Sequence, residues 1–329
     1  MKDDGIWIFG EQHQGRVLPV THELLKRGRM LADKRGAKLT AVLFGKSLNK
    51  ADLNETIERG ADRVLAMEAP LLENFLPEPY RACLLFLIEK ERPETLIAAA
   101  SSTGRTLMPY LAVKASTGMT ADCTELDIES TTGLLLQTRP AIGGNIMATI
   151  KTPKHRPQMA TVRPHSSRPA PRDPTRTGEI RYVEAPPALL SSRIRRTGFI
   201  PASDGNSLSE ASRVVCLGRG IRKCENMRLG RRLAEALSAT VGGTREVVDR
   251  GWLEYPRQIG LSGKTVSPRL YIGLGVSGSI QHLAGMQTSE IIVAVNKDPD
   301  ASIFKFADFG IVGDLFDLVP VLVRKLEER

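Results

Sequence analysis

A glycine-rich turn, Gly273-Leu274-Gly275-Val276-Ser277-Gly278, follows a short apolar run in this 329-residue chain and constrains its fold more than any other feature. The spacing G-x-G-x-x-G, with a strand before it and a helix after it, lets the backbone approach a pyrophosphate at a helix N-terminus. Turns of this kind stand at the carboxyl ends of strands in open, mostly parallel sheets. The acidic ribose partner of a nicotinamide site would be expected about twenty residues further on. Here the next strand, 291–295, ends in Asn296-Lys297-Asp298. That departure weakens the NAD dehydrogenase reading and points to a dinucleotide lying differently.

The other strands of the second half end in the same way. Residues 213–217 run into Gly218-Arg219-Gly220, and residues 309–312 into Gly313-Asp314. Helices are expected at 225–238 and 315–328. Carboxyl ends of parallel strands share one edge, so one large ligand would be able to touch four of these loops. Ser279-Ile280-Gln281-His282 places hydrogen-bonding groups in the first turn after the glycines. Amide side chains and a histidine suit an isoalloxazine edge, and a cation there would stabilise a reduced, anionic flavin. No nucleophile–base pair or carboxylate dyad is visible. The chain reads as built to hold a cofactor.

The first half alternates strands and helices. Strands are expected at 6–9, 38–44, 63–66 and 95–100, with helices at 20–35 and 79–92. Ser101-Ser102-Thr103-Gly104 opens another helix, more as an N-cap than as an anion site. Strands at 121–128, 134–138, 145–151 and 158–162 close the domain. Repeated βα units imply a largely parallel sheet, so the fold class is α/β in two domains. The expected division is 1–205 and 206–329.

The net charge of +9 raises the question of nucleic acid. Residues 151–205 hold eleven Lys or Arg against four acids, together with nine of the twenty prolines, and only two aromatics, Tyr182 and Phe199, for base stacking. The stretch reads first as a solvated, partly extended basic connector and second as a docking surface for an acidic partner. Cys83, Cys123, Cys216 and Cys224 are scattered without metal-ligand spacing and are expected to be buried thiols. No apolar run approaches the ~20 residues of a transmembrane helix, and no signal-peptide layout opens the chain, so it reads as cytoplasmic.

The segments 270–286, 292–299 and 307–316 together closely resemble the C-terminal FAD-binding domain of the electron-transfer flavoprotein alpha subunit. Ser102-Thr103-Gly104-Arg105, Thr120-Ala121-Asp122-Cys123-Thr124 and Arg139-Pro140-Ala141-Ile142-Gly143-Gly144-Asn145-Ile146-Met147-Ala148-Thr149-Ile150 resemble the N-terminal domain of that family. The opening Gly5-Ile6-Trp7-Ile8-Phe9-Gly10-Glu11-Gln12 is similar to anaerobic and nitrogen-fixation-associated members. The resemblance implies an N-terminal parallel-sheet α/β domain that packs with a homologous beta subunit, and a C-terminal Rossmann-like domain that binds FAD. The heterodimer would take electrons from an acyl-CoA or other dehydrogenase and pass them to a quinone oxidoreductase or a ferredoxin-linked acceptor. It would be an electron carrier without substrate chemistry of its own, or part of an electron-bifurcating complex. A nicotinamide-dependent oxidoreductase is the alternative.

Site residues follow from the same resemblance. Arg219 would contact the cofactor, and Thr244-Arg245 would match a family Ser-Arg pair, with the arginine beside the flavin. Gln258, Ile259, Gly260, Leu261, Ser262 and Gly263 align with a loop commonly written Q-V-G-Q-T-G. Ser262 would supply the hydroxyl near flavin N5, while Leu261 departs from the usual Gln. Gly275, Ser277, Gly278, Ser279, Ile280, Gln281 and His282 would bind the pyrophosphate and the pyrimidine edge. Asn296, Asp314 and Leu315 would hold the ribose-adenine half. No metal site and no nucleic-acid partner is expected. A linker near Asp204 would let the FAD domain swing.

Overall fold

Strand β1 (Ile6–Phe9) is buried on both faces, as a continuous apolar run requires when helices cover both sides of a parallel sheet. Its side chains alternate with the period of a strand. Ile6 and Ile8 join Leu24, Leu25 and Leu31 in one core, while Trp7 and Phe9 join Leu84, Leu87 and Leu111 in the other. The computed structural model describes residues 5–141, 146–164, 166–198 and 208–328. The chain divides into two compact units, Met1–Phe199 and Ile200–Arg329. The expected boundary at 205/206, the linker residue Asp204 and the resemblance residues 142–145 lie outside the described residues.

In the first unit β1 leads through a short hairpin, β2 (Gln12–His13) and β3 (Arg16–Val17), into α1 (Pro19–Arg35). Pro19 begins that helix and Gly36, at φ 64°, ends it, both suited to those positions. Then come β4 (Leu39–Gly45), α2 (Lys50–Glu58), β5 (Arg63–Glu68), α3 (Pro77–Glu91), β6 (Thr95–Ala99) and α4 (Ser102–Lys114). Strands β7 (Met119–Cys123), β8 (Glu125–Ile128), β9 (Leu135–Ala141), β10 (Ile146–Ile150), β11 (Gln158–Val162) and β12 (Glu179–Tyr182) complete it. Seven strands form one parallel sheet in the order β12-β5-β4-β1-β6-β11-β7, and β10-β9-β8 form an antiparallel annex.

Three local expectations need correction. The helix α2 was not foreseen, although Asn49 caps it by accepting the N–H groups of Ala51 and Asp52 at 2.9 and 3.2 Å. The single strand expected over 121–128 is two strands in two sheets, because Asp122 takes a left-handed φ of 60° and the pairing shifts there. Cys224 is exposed, whereas the other three cysteines are buried. Ser101 does cap α4, accepting the Gly104 N–H at 3.0 Å and donating to the Glu11 carboxylate at 2.5 Å.

The basic stretch is not a solvated connector over its described part. Strand β11 lies inside the parallel sheet, and β12 pairs in parallel with β5 at its edge. Its cations meet acids from distant parts of the sequence: Arg163 with Asp122 at 2.7 Å, Arg176 with Asp62 at 2.6 Å, and Arg156, Arg172 and Arg181 with Glu94, Glu58 and Glu91. A charge count over one segment cannot register acids that the fold brings from elsewhere. This strap closes around its own unit, which also removes much of the free charge that an acidic partner would read.

The second unit comprises β13 (Arg213–Leu217), α5 (Met227–Ala236), β14 (Thr240–Gly243), α6 (Arg245–Asp249), β15 (Leu270–Leu274), α7 (Ile280–Leu283), β16 (Ile292–Asn296), β17 (Phe309–Val312) and α8 (Leu315–Glu327). Its five parallel strands lie in the order β14-β13-β15-β16-β17. Read in chain order this is 2-1-3-4-5, a doubly wound sheet whose topological switch point falls between β13 and β15. Val215, Leu217, Leu274 and Val295 pack with Leu233 of α5 and Val319 of α8, whereas Val214, Cys216 and Tyr271 face the opposite core. Among the described residues, no helix is long and apolar enough to cross a membrane.

Asp62 joins the strap to the first sheet by accepting the Leu39 N–H, Arg29 and Arg176 at 2.8, 2.8 and 2.6 Å. Partial burial raises its carboxyl, but the Leu39 N–H and the two guanidinium groups outweigh this and hold it below the usual carboxylate range. Its contribution is therefore present above a pH of about 4 and is lost as the pH falls through the folded-state value. Asp62→Ala should cost the first unit about 2 kcal/mol at neutral pH after allowance for screening. The gap from wild type should narrow as the pH falls below about 4, read by urea unfolding with the buried Trp7 as the fluorescent reporter.

Candidate functional site

The sheet order brings the loops after all five strands of the second unit to one edge. Thr244 and Arg245 follow β14, Gly218 and Arg219 follow β13, the glycine turn follows β15, Asn296 ends β16, and Asp314 follows β17. Four strand spacings make this edge roughly 19 Å long, the scale of an extended dinucleotide. Arg219, Arg245, Ser262, Ser277, Ser279 and Gln281 are all exposed. Arg245 has an ion pair with Asp249 at 3.2 Å, one helical turn on within its own helix.

Close backbone contact sets the centre of the edge. Gly218 N–H donates to the Leu274 carbonyl at 2.9 Å, and Gly220 N–H to the Gly275 carbonyl at 3.0 Å. Gly275 lies at φ 62°, and a Cβ on Gly220 would sit 2.6 Å from its Cα. Gly278, at φ 83°, would carry a Cβ 2.4 Å from the Ile303 nitrogen. These glycines are thus required by the protein's own packing as well as by any ligand. Asn296 donates from Nδ2 to the Val276 carbonyl at 2.8 Å and accepts the Asp298 N–H at 3.1 Å, so its side chain buttresses the turn.

The helix expected after the turn is a single turn, α7, ending before Gly285. A Cβ on Gly285 would lie 2.5 Å from Gly260, so the chain is fixed here by approach to the 258–263 loop rather than by helix continuation. That loop is closed by Gly263 N–H to the Gly260 carbonyl at 3.0 Å and Lys264 N–H to the Gln258 carbonyl at 2.7 Å. Leu261 N–H donates to the Gln281 carbonyl at 2.7 Å, and the Leu261 side chain is 73% exposed, an apolar tip beside polar neighbours. Gln258, itself buried, donates from Nε2 to Ser262 Oγ at 3.0 Å. The serine oxygen accepts there, so its proton is not used in this bond.

His282 is buried, and both its ring nitrogens meet protein atoms. Nδ1 lies 3.1 Å from the Ile259 carbonyl and Nε2 lies 2.7 Å from the Tyr271 hydroxyl. Burial pushes its pKa down to about 4, against the opposing pull of the Ile259 carbonyl. The ring is neutral at pH 7, so positive charge on this edge comes from side chains such as Arg219, Arg245 and Lys297. Tyr271 is the participant that sequence reading missed. The signal was present: a tyrosine inside a buried strand must find a partner for its hydroxyl.

At the far end Asp314 caps α8 by accepting the Phe316 N–H at 3.0 Å and pairs with Arg222 at 3.0 Å. The N–H bond and the Arg222 guanidinium hold its carboxyl below the usual range. Leu315 is buried in the core and offers the site only its backbone. Thr244 stands at the N-cap position of the short α6 without a capping bond from its side chain, and Ile280 is exposed. Among the described residues no cluster of metal-type ligands is gathered. The edge can bind and orient a long, partly anionic ligand. Gly220→Ala should destabilise the second unit by about 1–3 kcal/mol through the forced contact. Arg219→Ala next to it should stay within ~0.5 kcal/mol, both read from urea unfolding followed at Trp252.

Comparison with known proteins bears on both units. Residues 6–188 match the family described as the electron transfer flavoprotein domain, and residues 207–287 match the electron transfer flavoprotein FAD-binding domain. The electron transfer flavoprotein subunit alpha of Thermoanaerobacterium thermosaccharolyticum is 46% identical over 326 residues, covering 98% of each chain. Protein FixB of Clostridium saccharobutylicum is 43% identical over 98% of this chain and 96% of its own. The lactate dehydrogenase (NAD(+),ferredoxin) subunit LctC of Acetobacterium woodii is 40% identical over 98% of this chain and 77% of its own. A doubly wound sheet whose glycine turns share one edge thus coincides with family matches to both units and with relatives aligned over nearly their whole length, and the chain belongs to the electron transfer flavoprotein family as an alpha subunit.

Proposed function

We propose that FAD lies along the carboxyl edge of the second unit's sheet, and that the chain works in the cytoplasm as one half of a heterodimeric electron carrier. The observation that carries this reading is the row of polar side chains on five strand ends, exposed at Arg219, Arg245, Ser277 and Ser279 and half-buried at Asn296 and Asp314. FAD, when bound, supplies the redox chemistry, and the protein supplies binding, orientation and electrostatics. Arg219 and Arg245 offer positive charge, Ser262 a hydroxyl donor, and Ser277, Ser279 and Gln281 hydrogen bonds to the pyrophosphate and ring edge. Asp314 and the backbone at Leu315 take the ribose-adenine half. Thr244, Gln258, Ile259, Gly260, Gly275, Gly278, His282 and Asn296 hold the backbone that presents these groups, and Leu261 and Ile280 give apolar cover. Ribose hydroxyls would compete with Arg222 for Asp314.

The partner in this reading is the family's beta subunit. A dehydrogenase, of acyl-CoA or another substrate, is the donor, and a quinone oxidoreductase or a ferredoxin-linked protein is the acceptor. The name of the Acetobacterium woodii relative favours a ferredoxin-linked setting. A nicotinamide enzyme is disfavoured by the end of β16, where Asn296 is engaged with the turn in place of an acidic ribose partner.

Co-production with the beta subunit should give a yellow heterodimer with one FAD assignable to this chain, counted by extraction and absorbance. A second FAD would belong to the partner and mark a bifurcating complex. A colourless complex that cannot be reconstituted with FAD would overturn the reading. Arg245→Ala and Asp314→Ala should each weaken FAD binding about ten-fold, the scale of one charge-assisted hydrogen bond, measured by equilibrium dialysis.

A further inference from the structure

Among the described residues, strand β10 pairs with β9 and with no other strand, so it forms an outer edge of the antiparallel annex. Its sequence, Ile-Met-Ala-Thr-Ile, contains neither a charge nor a proline. Ile146, Met147 and Ile150 are 56, 51 and 40% exposed, and because successive side chains alternate, apolar groups meet water on both faces. Edge strands that stay in water are commonly blunted by charge, as β12 is by Glu179 and Arg181. Nothing blunts β10. The direction of its free backbone groups follows from the register. The Thr138 carbonyl turns toward β8, where it accepts the Thr124 N–H at 3.0 Å. Thr149, opposite Thr138, therefore stands in a non-hydrogen-bonded pair, and its own N–H and carbonyl point away from β9. The 2.9 Å bond between the two threonine hydroxyls fits that pairing, in which side chains come closest. Met147, two residues back, has the same orientation, opposite Pro140, which has no N–H to give.

We propose that the beta subunit docks on β10 by adding a strand to it, pairing with the backbone of Met147 and Thr149 and covering Ile146, Met147 and Ile150. In this mode of recognition main-chain hydrogen bonds supply affinity and alternate side chains supply specificity, and β10 offers both. A strand without lysine or arginine offers nothing to nucleic acid. A relative aligned over 98% of this chain is named as a subunit alpha, which calls for a partner of a different kind as the occupant. This inference rests on the heterodimer reading above and names the surface that the heterodimer uses.

The test mixes the full chain with the family's beta subunit. Hydrogen exchange of the Met147 and Thr149 amides, followed by NMR on ¹⁵N-labelled chain, should be fast in the chain alone and about a hundred-fold slower in the heterodimer. Met147→Pro deletes an outward N–H without removing a bond to β9, a change that edge strands tolerate. It should leave the urea midpoint of the chain unchanged and weaken association about thirty-fold or more, the scale of an interface hot spot. If that variant does not fold, Ile146→Thr combined with Ile150→Thr keeps every backbone group and should weaken association about ten-fold. Amides at 147 and 149 that exchange equally fast in a formed heterodimer overturn the proposal. So does a folded Met147→Pro, or in its place the threonine pair, that binds the beta subunit like wild type. Protection that arises in the chain alone at high concentration, and is unchanged by the beta subunit, also overturns it and marks β10 as a contact between two copies. A wild type that forms no complex with the beta subunit sinks the heterodimer reading itself, whereas a heterodimer that leaves β10 open sinks this inference alone.

Discussion

Backbone-to-backbone contact at the switch point of the second sheet is the constraint on which the site depends. Gly218 and Gly220 leave β13 and press directly on Leu274 and Gly275 at the end of β15. Only residues without Cβ atoms permit that approach. Because the two loops share this seam, Arg219 on one side and Ser277 and Ser279 on the other project from a common base. Asn296 from the next strand braces the same turn. The edge is thus preorganised by hydrogen bonds of the chain itself, and a ligand arriving there need not order it.

A second layer of the same design lies around α7. The 258–263 loop is held from within by its own backbone bonds, from below by His282, and at its side by Gln281. Buried polar chains of this kind are specific when every member is satisfied and costly when one is not. Here Tyr271, His282 and the Ile259 carbonyl satisfy one another in order, and Gln258 does the same for Ser262. The exposed groups then meet solvent or ligand while the buried ones never titrate near neutrality.

Most of the architecture was legible in the sequence because its strands are buried runs such as Ile6–Phe9 and Leu270–Leu274, and its turns carry glycine. Where the signal depended on distant partners, it failed. Strand β12, Glu-Ile-Arg-Tyr, sits at a sheet edge and has no apolar run to mark it. Helix α2 shows little of the apolar stripe, having only Leu53 and Ile57 as buried hydrophobics. The basic stretch looked free because its acids, Glu58, Asp62, Glu91 and Glu94, lie far earlier in the chain. At the candidate site, Arg219, Ser277 and Ser279 were readable from strand-end position, whereas Arg245 and Ser262 followed only from the family resemblance. His282 was read as a possible cation, but its burial beneath the loop is a tertiary fact and leaves it neutral.

The brevity of α7 has a consequence for how charge is balanced at the edge. A helix of four residues aligns few peptide dipoles, so it cannot concentrate much positive potential at its start. The neutral histidine adds none. In the proposed reading, compensation for an anionic ligand would fall to guanidinium groups such as Arg219 and Arg245, which stand in water. Fields from exposed groups are damped by mobile ions over about 8 Å at physiological ionic strength. Retention of a cofactor held there would thus become a function of the surrounding electrolyte, loosening in concentrated salt, whereas a site built on buried dipoles would be nearly indifferent to it.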